Sequence, residues 1–166
     1  MGTARHAPSS PGWTIISLEA IIFDFDGVLV DSVDTKTQAF AALYEQYGPQ
    51  VVKSVIAYHR QHGGVSRYEK FRYFHESILG KEYNQKEEQL LGESFSRLVF
   101  DAVIAAPWIP GAYNLLVDYH KTIPMFVASG TPNEEIQRIV KHRKMDHFFV
   151  AVKGSPATKA QIIDEI

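Results

Sequence analysis

The stretch Phe23-Asp24-Phe25-Asp26-Gly27 places two carboxylates one residue apart, at the end of an apolar, β-branched run that begins at Ile15. Two acids at that spacing suit phosphoryl transfer. One carboxylate can attack phosphorus and form an acyl phosphate, which splits one hard displacement into two easier steps. A second acid must protonate the leaving alkoxide and later take a proton from water. In extended backbone, residues two apart project to the same side, so Asp24 and Asp26 can face one site. Gly27 then lets the chain turn sharply, having no Cβ.

Such chemistry also needs donors for the phosphoryl oxygens. Ser129-Gly130-Thr131 offers a hydroxyl and loop amides beside a helix start, and Lys153 or Lys159 offers an ammonium. A nearby cation would favour the ionised form of Asp24 and so separate the roles of the two acids. Mg²⁺, a hard ion that takes carboxylates and waters, would neutralise the remaining charge.

Elements that could position these groups are legible in the pattern. Ile15 to Phe23 reads as a strand buried on both faces of a parallel sheet. From Val33 to Ala106 only helical signals follow. Ala39, Phe40, Leu43, Tyr44 and Tyr47 mark a first helix, stopped by Gly48-Pro49. A second starts at Val51 and ends at His62-Gly63-Gly64. Ser66 caps a third that carries Tyr68, Phe71, Phe74 and Ile78 and stops at Gly80. Asn84 with Glu87 opens a fourth.

Pro107-Trp108-Ile109-Pro110-Gly111 breaks the run. Beyond it, helix and strand alternate: a helix around Tyr113 to Tyr119, a strand from Ile123 to Ala128, and a helix opened by Thr131-Pro132-Asn133-Glu134. A strand from Phe148 to Val152 and a helix from Ala157 to Ile166 complete the series. The expected fold is α/β: a Rossmann-like parallel sheet core (14–32 and 107–166) with an inserted all-helical cap (33–106), behind a flexible tail (1–13). In such a sheet, ligands bind at the carboxyl ends of strands, where the three polar sites fall.

Composition sets bounds. The chain has 166 residues, 45% of them hydrophobic and 22% charged, which is ordinary for a globular domain. A net charge of −2 gives no electrostatic reason to expect nucleic acid as a partner. No apolar run approaches the roughly 20 residues of a membrane span, and the first 13 residues lack the apolar segment of a signal peptide. Cysteine is absent, which excludes disulfides and thiolate metal sites and is compatible with the cytoplasm.

These motifs resemble those of the haloacid dehalogenase (HAD) superfamily, in its helical-cap subgroup of phosphoglycolate phosphatase-like and β-phosphoglucomutase-like enzymes. The first is Asp24-Phe25-Asp26-Gly27-Val28-Leu29-Val30-Asp31-Ser32, the second Val127-Ala128-Ser129-Gly130-Thr131, and the third Gly154-Ser155-Pro156-Ala157-Thr158-Lys159. The resemblance implies Asp24 as nucleophile, Asp26 as acid and base, Ser129 as phosphate ligand and Lys159 as charge anchor, with Lys153 as the fallback. It implies Mg²⁺ held by Asp24 and the backbone carbonyl of Asp26. Gly27, Gly130 and Thr131 would line the substrate. The cap loop His62-Gly63-Gly64-Val65-Ser66-Arg67 resembles that of β-phosphoglucomutase-like enzymes, which implies that Arg67 contacts a distal substrate phosphate; Lys70 is a weaker candidate. Asp26-Gly27 favours phosphate chemistry over dehalogenation.

The expected activity is therefore Mg²⁺-dependent hydrolysis of a small phosphomonoester, with a sugar phosphate as the leading substrate class. The alternatives are a phosphosugar mutase and a non-catalytic relative. The family's fourth, acidic motif would follow Lys159 by some twenty residues, together with a strand beside that of Asp24. The chain ends at Ile166, so the expectation is a core lacking its C-terminal strands, either a fragment or a chain completed by a partner. Lys141-His142-Arg143-Lys144 is expected to be a solvated helix end.

Overall fold

The computed structural model describes residues 18–166. The expected tail and the start of the first strand at Ile15 lie outside the described residues. Strand β1 (Ile21–Phe23) pairs in parallel with β2 (Met125–Pro132), with Ile21 opposite Met125 and Phe23 opposite Val127. On its other side β2 pairs in parallel with β3 (Ala151–Ser155), with Phe126 opposite Ala151 and Ala128 opposite Lys153. The order is β1-β2-β3, so the middle strand carries the buried Met125, Val127 and Ala128.

Strand β2 runs past its expected end at Ala128. The ladder is interrupted after Ala128 and resumes with Pro132 opposite Ser155. Proline is tolerated there because it stands at the strand end, where it forfeits little of the ladder. Helix α6 (Asn133–His142) therefore has Pro132 just outside its first turn rather than inside it. Its apolar stripe of Ile136, Ile139 and Val140 is buried with Met145. Helices α5 (Ala112–Tyr119) and α7 (Lys159–Asp164) complete the core.

The remaining helices form the cap: α1 (Val33–Tyr44), α2 (Pro49–Gln61), α3 (Arg67–Tyr73) and α4 (Gln85–Ala105). Helix α3 widens into a looser turn over Phe74–Ile78 before the chain reverses at Gly80, whose φ is 62°. Aromatic residues fill the centre. Phe40 lies 4.4 Å from Phe95 and 5.6 Å from Phe74 between ring centroids, and all three are buried. Aromatic pairs at such distances add attraction beyond the area they bury.

The Asn84 side chain accepts from the Glu87 N–H at 3.1 Å and caps α4. Asn84→Ala is expected to lower stability by about 1 kcal/mol, read as a small drop in thermal midpoint without loss of helix content.

The two chain crossings between cap and core run side by side. The Asp31 N–H donates to the Pro107 carbonyl (2.9 Å) and the Ile109 N–H to the Leu29 carbonyl (3.0 Å). Arg143 is not solvated as the sequence suggested. Its guanidinium donates to the carbonyls of Val103, Ile104 and Ala106 at 3.1, 2.6 and 2.7 Å and lies over the Trp108 ring. It thereby satisfies the last carbonyls of α4, which have no partners within the helix. Among the described residues, no helix is long and apolar enough to cross a membrane.

Candidate active site

The turn after β1 is built to expose Asp24 and Asp26. The Phe25 carbonyl accepts from the N–H groups of Leu29 and Val30 (2.9 and 3.2 Å), and the Gly27 N–H donates to the Val30 carbonyl (2.7 Å). Gly27 has a φ of 76°, and a Cβ there would meet Val33 Cγ2 at 2.9 Å. Only glycine takes that conformation without strain. Gly27 therefore turns the chain; it does not line the cavity below, and its N–H is already used.

A cavity of about 100 Å³ opens between the strand ends and the cap. The core contributes Asp24, Asp26, Gly130 and Thr131. The cap contributes Lys36, His59, Arg60, Gly64, Arg67 and Lys70. Lys159 Nζ donates to Asp24 Oδ2 at 2.7 Å, while the Phe25 N–H donates to Asp24 Oδ1 at the same distance. Lys153 instead pairs with Glu165 at the surface. Of the two lysines weighed from sequence, only Lys159 reaches the site.

Asp26 is held from three sides. It accepts from Ser32 Oγ (2.6 Å), from Lys36 Nζ and from Thr131 Oγ1 (3.3 Å), and Lys36 also donates to Thr131 Oγ1 (2.8 Å). Burial alone would raise its pKa. The Lys36 charge and these hydrogen bonds together outweigh burial and hold it below the ordinary carboxylate value. Lys36→Met is therefore expected to move the pKa upward, because burial is then opposed only by Ser32 and Thr131. Carboxyl titration of Asp26 by ¹³C NMR in metal-free buffer reads this shift, and a downward move would contradict the account.

Lys36 was not singled out from sequence. The one available signal was its position at the end of the first turn of the helix after the acidic motif.

Ser129 is buried, and its Oγ accepts from the Thr131 N–H at 3.1 Å. It lies in an adjoining depression lined by Gly63, Gly64, Ser155 and Lys159. The cap loop presses directly on this loop: a Cβ on Gly130 would meet the Gly64 carbonyl oxygen at 2.6 Å. Gly130→Ala is thus expected to push the Gly63–Val65 loop away, at a cost on the order of 1–3 kcal/mol. Faster amide exchange at Gly64 and Val65, with the α4 amides unchanged, would show it.

Arg67 has a partner other than the expected substrate. It forms a two-pronged ion pair with Glu135 in the first turn of α6, donates to Ser96 Oγ (2.9 Å) and lies over the Phe95 ring at 4.6 Å. Arg67 and Glu135 are both buried. In this structure its charge links cap to core.

Among the described residues no cluster of three or more carboxylate or histidine ligands occurs. The donor set still fits Mg²⁺, which commonly takes one or two protein oxygens and fills the rest of its shell with water. Asp24 supplies a carboxylate at the cavity. The Asp26 side chain is engaged by Lys36, so Asp26 would contribute its backbone carbonyl; the turn's own hydrogen bonds use the carbonyls of Phe25 and Val30.

Residues 21–161 match the family model described as haloacid dehalogenase-like hydrolase. A 6-phosphogluconate phosphatase of Escherichia coli is 30% identical over 135 residues, covering 80% of this chain and 57% of the relative. A phosphorylated carbohydrates phosphatase of Thermotoga maritima is 24% identical over 132 residues, covering 80% and 59%. The chain thus spans under three fifths of the length of these relatives. Among solved structures, a β-phosphoglucomutase from Clostridium difficile superposes with a TM-score of 0.65 at 21% identity, covering 82% of this chain and 61% of that one.

Proposed function

This chain belongs to the haloacid dehalogenase-like hydrolases, and from that premise we propose that it is a Mg²⁺-dependent phosphatase of small sugar phosphates, working through an aspartyl-phosphate. The observation that carries the reading is that Asp24 and Asp26 line one cavity, each paired with its own lysine, Asp24 with Lys159 and Asp26 with Lys36. The named activities of the two curated relatives support phosphorylated carbohydrates as the substrate class. The cysteine-free composition is in keeping with a reducing cytoplasm. Of the described residues, we assign 18–32 and 107–166 to the core and 33–106 to the cap.

In this reading, an Asp24 oxygen bonds to phosphorus as the bond from phosphorus to the leaving oxygen breaks. The leaving oxygen takes a proton delivered through the Asp26–Lys36 pair. Water then attacks the phosphorus and gives its proton to Asp26, releasing inorganic phosphate and restoring Asp24. The ionised state in which Lys36 holds Asp26 suits this second half. Lys159, the Ser129 hydroxyl and the Gly130 amide stabilise the charge on the phosphoryl oxygens, while the Thr131 N–H holds Ser129 Oγ in place. Mg²⁺ bound at Asp24 and the Asp26 carbonyl would supply charge neutralisation.

The test is Mg²⁺-dependent phosphate release by the full chain from a panel of sugar phosphates and an aryl phosphate, with a search for a hydroxylamine-labile phosphoryl group on the protein. Release with such an intermediate supports hydrolysis. Isomer formation without release would point to the mutase reading, and neither outcome would leave a non-catalytic relative.

A further inference from the structure

The cap wall of the cavity carries a charge that the proposed chemistry does not use. Lys70 is 3% exposed and lines the cavity. Among the described residues no carboxylate lies within ion-pair distance of it, and its hydrogen-bond partner is His59 Nδ1 at 3.0 Å. Of the other cations at the site, Lys36 is committed to Asp26, Lys159 to Asp24 and Arg67 to Glu135, while Arg60 lines the cavity from an exposed position.

His59 is buried beside it, and burial brings its ring down to about 4, so the ring is neutral at pH 7. An ammonium can only donate, so Nδ1 accepts and the ring proton sits on Nε2. That Nε2–H is buried without a hydrogen-bond partner. The Val33 carbonyl, which accepts the Thr37 hydroxyl at 2.9 Å, also faces the ring and has a second lone pair to offer, but it does not meet hydrogen-bond geometry with Nε2. Burial, followed by the repulsion of Lys36, brings Lys70 down to about 8, and it remains mostly charged at pH 7. A buried ammonium and a buried orphan N–H thus stand together on the wall facing Asp24 and Asp26. Unpaired buried donors are few in native proteins and cost stability, and here one of them, the His59 Nε2–H, borders with the Lys70 ammonium the cavity that holds both carboxylates.

We propose that Lys70 and His59 form a subsite for an anionic oxygen on the leaving-group side of the substrate, so that this chain selects phosphomonoesters carrying a second negative group. The inference rests on the phosphatase reading and narrows its substrate class. A carboxylate and a second phosphate offer the same chemistry here, and the test separates them.

Three matched substrates decide it: a neutral hexose phosphate, the corresponding phosphorylated hexonic acid, and the hexose bisphosphate. The wild-type chain is expected to favour one charged substrate over the neutral one in kcat/KM by roughly tenfold to a hundredfold. The acid winning identifies a carboxylate, and the bisphosphate winning identifies a phosphate. Lys70→Met keeps the volume and removes the buried charge, so it is expected to fold with an equal or higher thermal midpoint. It should lose most of the charge preference. His59→Phe should lose a smaller part.

No charge preference in the wild-type chain, an undiminished preference in Lys70→Met, or an equal loss on all three substrates would overturn the subsite. If the wild-type chain releases no phosphate even from an aryl phosphate, the phosphatase reading fails separately. The subsite is then read by titrating malonate while following the His59 imidazole signals by NMR. A saturable shift absent from Lys70→Met upholds it, and no shift overturns it.

Discussion

Under the proposed mechanism, Asp24→Asn is expected to eliminate phosphate release while leaving the fold intact. An amide oxygen is a poor nucleophile toward phosphorus and cannot form the acyl phosphate, so removing this one group stops the first step rather than slowing it. Losses on the order of 10³-fold or more are expected when a covalent nucleophile is removed. The stability cost is small. The Asp24–Lys159 pair is partly exposed, with side-chain accessibilities of 25% and 38%, and ion pairs open to solvent contribute about 1 kcal/mol or less. A large fall in kcat with a nearly unchanged thermal midpoint is therefore the signature. A variant that kept activity within tenfold would remove Asp24 from the mechanism.

Glu135→Ala should act in the opposite way, on stability first. It leaves the Arg67 guanidinium buried without its carboxylate, and breaking a buried pair on one side costs roughly 3–5 kcal/mol. For a domain of this size each kcal/mol moves the midpoint by about 2–4 °C, so a fall of roughly 10 °C is expected in calorimetry. Ser96 still accepts from Arg67 (2.9 Å), which places the loss toward the lower end. Replacing both partners, Arg67→Met with Glu135→Leu, should recover most of it, because an apolar pair avoids the desolvation of two charges. A fall under 2 °C in the single variant would mean that Arg67 is not committed to Glu135 in solution. Its guanidinium would then be available to a substrate phosphate, as the β-phosphoglucomutase-like loop implied.

The parts of this architecture that depend on neighbouring residues were legible in the chain. The Asp24–Ser32 motif, the helical run of the cap, the breaker at Pro107–Gly111 and the cap at Asn84 are local patterns, and each falls where expected. The partners of the charged groups were not legible. Lys36 meets Thr131 across 95 positions and Arg67 meets Glu135 across 68, and no periodicity carries information over such distances. Arg67 shows the limit well. Its motif pointed to a ligand, and the deciding fact is a glutamate on another helix. The His59–Lys70 contact spans only 11 positions, yet it depends on how α2 and α3 cross, and the sequence pattern of either helix leaves that open. The strand boundary at Pro132 was missed for a related reason: proline normally argues against a strand, and the interrupted ladder that admits it belongs to the sheet.

The two crossings between cap and core bear on how this molecule can move. A lid on two independent tethers can slide, tilt and twist. Here the outgoing segment at Leu29–Asp31 and the returning segment at Pro107–Ile109 are bonded to each other, and Arg143 grips the end of α4 where the return begins. Two joined straps bend most easily about the line across both and resist shear along it. Such a hinge would leave the cap mainly a swing that lifts Gly64 from Gly130 and parts Arg67 from Glu135. Slow exchange of the Asp31 and Ile109 amides, alongside fast exchange at Gly64, would be the trace of a single axis.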